Sequence, residues 1–561
     1  MRVIQVNRLQ FVLFFLSLFI VSLGDPSRVA LLGILSSFCG FALFWFSISS
    51  IENKKKQFTL SMFWCALVQF VQLSWFGTTT YHGMMIFFPY LFFVFAIALQ
   101  FAFFSMLVLS KKKLDFFHIL SMSSIWVLLE YSRLYFLCGF PFNPCGVALS
   151  CSSLTIQLAS FGGIYFLSFL VLLLNLMLFN LFLTKKKKEF CSLLIALSFL
   201  MVCSSSFFYL NPRSSKEGEV FKVLALQPAI KVEEKYPMKN LPDSYKSPYD
   251  MWWMILKMSN RFLSNKTIDL IVLPEMVVCY GAYSEVYSLE DIKIIFQQVF
   301  GAKCLSCMPK VVNPYVSNLF IVKWLSKIAS SDVIAGFLYT DSEIAYNSSF
   351  YVSPNENLIS RYDKIKLVPL GEYLPSFFPK KAFEIFGISS FFTSGNKKTL
   401  FKGKKKYFPS ICFDECFSSF YRDKNLEEPD LFVNITNDSW FYPSNLAKQH
   451  MHLGRIRAVE YGIPVIRSCN TGITAFISAN GEIKQQLPEY QKNQELYKGA
   501  LFGSIDLMKI KTVYSNVGDF LILGLCFISI PFSFLKELVQ NKKFILLTSS
   551  YLNYFLFKKK S

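Results

Sequence analysis

The chain has 561 residues, of which 53% are hydrophobic and only 17% charged, with 63 phenylalanines. A mean hydropathy of +0.40 excludes an ordinary soluble globule and points to several membrane spans. The net charge of +20 would suit nucleic acid, but the lysines fall in short blocks between apolar runs, which is a pattern of membrane topology.

Apolar runs that reach or approach the roughly 20 residues needed to span lie at 9–23, 27–50, 58–76, 85–110, 114–137, 157–183, 189–209 and 518–537. Arg2 and Arg8 precede the first run. Lys54–Lys56 follow the second, Lys111–Lys113 the fourth, Lys185–Lys188 the sixth, and Lys542 and Lys543 the eighth. With every run spanning, all these blocks share one side, which the positive-inside rule makes the cytoplasm. The first run also has features of a cleaved signal peptide, including the triplet Ser22-Leu23-Gly24. A retained span is the reading adopted, and cleavage would leave the sidedness of the rest unchanged. Residues 1–210 thus read as a membrane domain of about seven helices. Residues 518–538 read as the last span, and 539–561 as a basic cytoplasmic tail whose apolar stretch Phe544–Phe557 is interfacial.

Residues 211–517 form the polar region between the seventh and eighth runs, which parity places outside the cytoplasm. Its length suits one α/β domain. Short β-branched runs at Val223–Gln227, Leu270–Leu273, Val333–Phe337, Leu431–Asn434 and Val465–Arg467 predict strands buried on both faces. Helical patterns fall between them at 249–264, 289–299 and 445–461, so the expected fold is a layered α/β one. Residues 301–318 and 373–396 read as longer loops. No internal repeat, Gly-rich phosphate loop or nucleic-acid motif is present.

Three reactive residues stand at or near the ends of apolar runs, where α/β folds place chemistry. They are Glu275 after Leu270–Pro274, Lys364 in Arg361-Tyr362-Asp363-Lys364, and Cys412 after Ser410-Ile411. Each alone reads as a solvated loop residue or a small buried thiol. Their neighbours are more specific. LPEMVVCY (273–280), RYDKIKLVPLGEYLP (361–375), ICFDE (411–415) and NITNDSWF (434–441) occur in that order. So do WVLLEYSRLYFLCGFPFNP (126–144) in the membrane half and RAVEYGIPVIRSCNTGITAFISANGEI (457–483) near the end of the domain.

These segments resemble the nitrilase superfamily, and more narrowly its membrane-embedded apolipoprotein N-acyltransferase family, over most of the chain. The resemblance implies an α-β-β-α sandwich joined to a multi-span α-helical membrane domain. It implies a catalytic set of Glu275 as general base, Lys364 as catalytic lysine and Cys412 as nucleophile. It also implies a second required glutamate at Glu372 and a supporting tryptophan at Trp440. Phe413-Asp414 stands where the family commonly has Tyr-Glu, and Tyr236 is a candidate for a further family tryptophan position. The implied partners are a phospholipid acyl donor, a diacylglyceryl-modified apolipoprotein acceptor and the bilayer. No nucleic acid, cofactor or metal is implied. The implied location is the bacterial inner membrane, multi-pass, with the catalytic domain on the periplasmic side.

The residues themselves imply acyl transfer or amide hydrolysis. A free thiol is mostly protonated at neutral pH. Lys364 and a helix opening at Cys412 would favour the thiolate, with Asp414 and Glu415 in that helix's first turn. Glu275 in an apolar setting would accept the proton, and Lys364 with the Phe413 N–H would hold the oxyanion. Glu130 and Arg133 sit in or near the fifth run, as functional candidates or a structural pair. Six phenylalanines between 377 and 392, interleaved with Lys380 and Lys381, suit contact with lipid. Cys304 and Cys307 suit a local disulfide outside the cytoplasm. With only four histidines a zinc site is not expected, and Cys416, His450 and His452 read as structural. The competing readings are a membrane-tethered amidase with the same triad, a scaffold with a decayed site, and a transporter.

Overall fold

The computed structural model describes residues 8–540, apart from 112, scattered positions between 186 and 200, and 203–211, 214–219, 237–243, 356–358, 376–391 and 492–494. The N-terminal half is helical. Its elements are Arg8–Leu23, Ala30–Ile48 (with a π-helical turn at Ser36–Gly40), Lys54–Gln72, Phe87–Val108, Phe116–Phe136 and Ala159–Thr184. Among the described residues three helical stretches are long and apolar enough to cross a membrane: Ala30–Ile48, Met84–Val108 and Thr155–Thr184.

The helix Phe87–Val108 shows why. It buries Phe93, Ile97, Phe101 and Phe104 while leaving Phe88, Phe92, Phe95, Leu99 and Phe103 exposed. Its 22 residues span about 33 Å. A helix apolar on all sides at that length is suited to lipid on its outer face. Lys54–Gln72 and Phe116–Phe136 instead turn polar groups inward, including Gln69, Gln72, Glu130 and Arg133. Lys54–Lys56 form the first turn of their helix, where Asn53 Oδ1 accepts the Lys56 N–H at 3.1 Å. Most of the seventh run, the 539–561 tail beyond Gln540 and the phenylalanine-rich segment except Phe392 lie outside the described residues.

The C-terminal half contains two six-stranded sheets. In order across the first sheet, the strands are Gly499–Asp506, Val220–Gln227, Leu270–Val272, Asp332–Asp341, Ile344–Val352 and Ile359–Asp363. Across the second they are Ile483–Gln486, Ala475–Ile477, Val465–Cys469, Leu431–Thr436, Lys406–Ile411 and Phe401–Lys402. Each sheet has three parallel central strands and antiparallel outer ones. The five runs singled out in the sequence are five of these six central strands; the sixth is Lys406–Ile411.

Alternation along Val220–Gln227 sets the layers. Phe221, Val223 and Ala225 pack toward the second sheet, while Leu224 and Leu226 pack under the helices Pro248–Leu263 and Asn318–Ala329. Between the sheets, the Ser468 hydroxyl lies 3.0 Å from both Leu226 O and Val272 O. The outer helix of the second sheet, Leu446–Tyr461, is almost entirely buried because it packs on the sheet and on Ala159–Thr184 at once. This is the expected α-β-β-α arrangement, with one outer layer shared with the membrane half.

Polar side chains key the halves together. The helix Ala159–Thr184 breaks at Gly162 and Gly163 (φ +71°), and the freed Ile164 N–H donates to Glu460 Oε1 at 2.9 Å. A Cβ on Gly163 would stand 2.5 Å from the Tyr514 ring and 2.9 Å from Glu460 Oε1. Gln449 Nε2 donates to Asp25 Oδ2 at 3.0 Å and to Gln72 O at 2.8 Å. Apolar packing runs unbroken from the helical half into the sandwich interior.

Candidate active site

Three strand ends converge. Glu275 follows Leu270–Val272, Lys364 follows Ile359–Asp363, and Cys412 follows Lys406–Ile411. Lys364 is 1% and Glu275 6% exposed. Lys364 Nζ donates to Glu275 Oε1 at 3.2 Å and to Glu372 Oε1 at 2.8 Å. Asn347 Nδ2 donates to the same two oxygens, at 2.7 and 3.0 Å. Glu372 Oε2 accepts the Val368 N–H at 2.8 Å, which fixes the loop carrying it. The described bonds to Glu275 fall on Oε1, so Oε2 is the oxygen available to a proton.

The charges are tuned by burial and by one another. Burial pushes the Glu275 carboxyl up, and Lys364 only partly offsets this. Burial opposes the Lys364 charge, but Glu275 and Glu372 outweigh it and hold the ammonium well above its ordinary value. Burial and the nearby Glu275 carboxylate push the Cys412 thiol up to about 12, with Lys364 and His450 pulling the other way. The resting sulfur is therefore a thiol that requires a base.

Cys412 sits in the left-handed region at φ +47°, which for a non-glycine residue costs about 1–2 kcal/mol. The expected helix at this point is only the short 3₁₀ turn Cys412–Cys416, so little helix dipole supports the sulfur. Asp414 holds the turn instead. Its carboxylate accepts from Tyr362 Oη at 2.7 Å, the Lys366 N–H at 2.7 Å and the Ile411 N–H at 3.0 Å. It thereby ties the segment carrying Lys364 to the turn carrying Cys412. Burial raises Asp414 to about 6. Phe413 stacks on Phe142 of the helical half, with ring centroids 6.0 Å apart.

A cavity of about 870 Å³ joins these groups to the helical half. Glu275, Lys364, Glu372, Cys412 and Phe413 line one part of it; Phe76, Tyr81, Phe93, Phe140 and Phe142 line another. It reaches Phe88 and Phe92, which are 67% and 52% exposed on the outer face of Phe87–Val108. Trp440 and Tyr236 line it as well, and Trp440 packs edge-on against Tyr81 at 5.9 Å.

Glu130 and Arg133 are not brought to this cavity. Glu130 Oε1 accepts from Trp126 Nε1 and the Cys145 N–H, each at 2.8 Å, while Arg133 Nε donates to Gln100 Oε1 at 3.0 Å. They line a separate polar cavity of about 40 Å³. Cys304 and Cys307 are free thiols.

Three cavity residues carried no usable sequence signal as site groups. Asn347 stands in a polar strand without pattern. Lys235 is buried, donates to Met276 O at 2.6 Å, and is lowered to about 8 by burial. His450, expected to be structural, lines the cavity beside Cys412. Cys412, Asp438 and His450 each place one donor atom within 4.8 Å of the others, a set of types that zinc accepts. Both nitrogens of His450 already face protein oxygens, so an ion would first have to break those bonds.

Residues 245–513 match the carbon-nitrogen hydrolase family model, and residues 11–177 match that of the apolipoprotein N-acyltransferase N-terminal domain. The apolipoprotein N-acyltransferase of Chlamydia pneumoniae is 25% identical over 537 residues, covering 92% of this chain and 96% of its own. That of Chlamydia caviae is 28% identical over 534 residues with the same coverage. A solved Saccharomyces cerevisiae member of the nitrilase superfamily aligns with a TM-score of 0.36 at 16% identity, over 52% of this chain and 93% of that one. Both halves match, and the relatives run nearly end to end; this membrane protein belongs to the apolipoprotein N-acyltransferase family.

Proposed function

We propose that the protein moves an acyl chain from a phospholipid, through a thioester on Cys412, to the N-terminal amine of a diacylglyceryl-cysteine apolipoprotein. The observation that carries this reading is the single cavity, with the Glu275–Lys364–Cys412 cluster in its wall and lipid-facing phenylalanines at its mouth. A donor held in the bilayer reaches the sulfur without leaving an apolar path. A water-using amidase has no need of such a mouth.

In the first half-reaction Glu275 Oε2 takes the thiol proton as sulfur attacks the ester carbonyl. Lys364 and the Phe413 N–H hold the oxyanion. The carbon–oxygen bond breaks, Glu275 returns its proton to the leaving alkoxide, and lysophospholipid departs. In the second, the acceptor's amine attacks the thioester and loses a proton to Glu275. The carbon–sulfur bond breaks, sulfur regains the proton, and an amide is formed. Glu372 and Asn347 hold Glu275 and Lys364 in place, Asp414 holds the turn, and Trp440 shapes the mouth. Sidedness follows the lysine blocks: an inner-membrane protein, multi-pass, with residues 211–517 periplasmic.

The test is product analysis with phospholipid and a diacylglyceryl-cysteine peptide. Equal amounts of N-acylated peptide and lysophospholipid are expected, with neither formed by Cys412→Ala. Release of free fatty acid or ammonia from simple amides, without peptide acylation, would favour the amidase.

A further inference from the structure

His450 is a buried titratable group that the cycle above leaves unused. It projects from Leu446–Tyr461 and is 2% exposed. Its Nε2 lies 3.2 Å from the Cys412 carbonyl oxygen, and its Nδ1 lies 3.2 Å from Asp438 Oδ1. A carbonyl and a carboxylate only accept, so both ring nitrogens carry hydrogen and the ring is an imidazolium. Glu415 Oε2 lies 3.5 Å from Nε2 and is itself paired with Arg467; Cys412 and Cys416 are the other titratable neighbours. Burial opposes the charge, but Cys416 and Asp438 outweigh it and hold His450 well above the ordinary histidine value.

Charge counting shows what this cation does. Glu275 and Glu372 share the ammonium of Lys364, and the Glu275 charge raises the Cys412 thiol more than Lys364 lowers it. Asp438 adds a further negative charge against Cys412. Such surroundings resist a thiolate. His450 returns one positive charge to the surroundings of Cys412. Its Nε2–H also holds the carbonyl of a residue strained at φ +47°.

We infer that His450 is a positioning residue for acyl transfer, clamped by Asp438 so that it pins the Cys412 backbone and puts a second cation beside the sulfur. The inference rests on Cys412 being the nucleophile.

The test is the rate at which iodoacetamide alkylates Cys412 at pH 8 in the purified full chain, resolved from the other cysteines by peptide mass spectrometry. The variants are His450→Gln, whose amide still donates to the Cys412 carbonyl without charge, and His450→Asn, a shorter neutral amide; both leave the Asp438 charge in place. Well below the thiol's pKa the rate follows the thiolate fraction, so a shift of one pH unit is a tenfold loss. Both variants are expected to lose about tenfold or more, with acyl-enzyme formation falling in parallel and melting temperature nearly unchanged. Wild-type alkylation rates in either folded variant would overturn the inference, and His450→Asn decides the matter if His450→Gln does not fold. Failure of the underlying reading looks different: the wild type itself would form no acyl-enzyme with phospholipid.

Discussion

Gly336 has no side chain, yet it sets where Glu275 can stand. Its N–H donates to Pro274 O at 3.3 Å and its O accepts the Val277 N–H at 3.1 Å, bracketing Glu275. A Cβ at this position would lie 2.7 Å from Glu275 Cα, 2.8 Å from Pro274 O and 2.8 Å from Ile435 Cδ1. Ile435 can rotate away, but the other two are backbone. Carbon atoms pack at about 3.5–4.0 Å, so Gly336→Ala demands a displacement of about 1 Å. The strand Asp332–Asp341 is held along its length by Ile344–Val352, whereas Glu275 lies in the segment beyond its own strand, so Glu275 moves. Misplacement on that scale costs roughly 10²-fold in rate, while the overpacking costs about 1–3 kcal/mol of stability. The assay is kcat for lipopeptide acylation beside a thermal melt. Turnover within threefold of wild type in a folded Gly336→Ala protein would refute the claim that backbone contact at Gly336 places the base.

Glu275→Gln is expected to abolish acyl-enzyme formation while leaving the fold intact, and wild-type activity should fall as pH drops through the raised value of Glu275, because the base must be ionised. Asp414→Ala leaves three donors unpaired, two of them buried, which at about 1–3 kcal/mol for each buried one should lower the melting temperature sharply and slow Cys412. Burial raises Glu460 to about 7. Its contribution to stability is therefore full below the unfolded carboxyl value of about 4.3 and is lost as pH rises through about 7. Between pH 4.5 and 7.5 the stability of Glu460→Gln should consequently decline less with rising pH than that of wild type, by up to about 3 kcal/mol, measured as paired melts. Gly163→Ala should loosen the sandwich from the helical half, seen as faster proteolysis at the junction and weaker lipopeptide acylation, because its Cβ would meet Tyr514 and Glu460.

Much of this architecture was legible because burial leaves a mark on composition. Five of the six parallel central strands are continuous apolar runs and are legible as such; the sixth, Lys406–Ile411, is not, because Lys406, Pro409 and Ser410 interrupt it. Nor is Ile344–Val352, since Asn347, Ser348 and Ser349 break its apolar character while remaining buried. The helix Leu446–Tyr461 was placed, but its role was not. It is polar and yet almost entirely buried, because Glu460, Arg455 and Gln449 bond to the other half of the chain. No periodicity announces such a helix. Glu275, Lys364 and Cys412 stood out at strand ends, and their neighbours made the set specific. His450 did not, because its partners Cys412 and Asp438 lie 38 and 12 residues away and meet it only in the fold. Glu130 and Arg133 stand out in the sequence by their intramembrane charge, as functional candidates or a structural pair, and the structure gives each a partner outside the cavity that holds Cys412.

The most direct test of the central claim is the intact mass of the purified protein after incubation with phospholipid, beside Cys412→Ala. The account predicts an acyl-sized increment on the wild type alone, removed by hydroxylamine or by an added lipopeptide amine. No increment with any phospholipid, in protein shown to be folded, would contradict it.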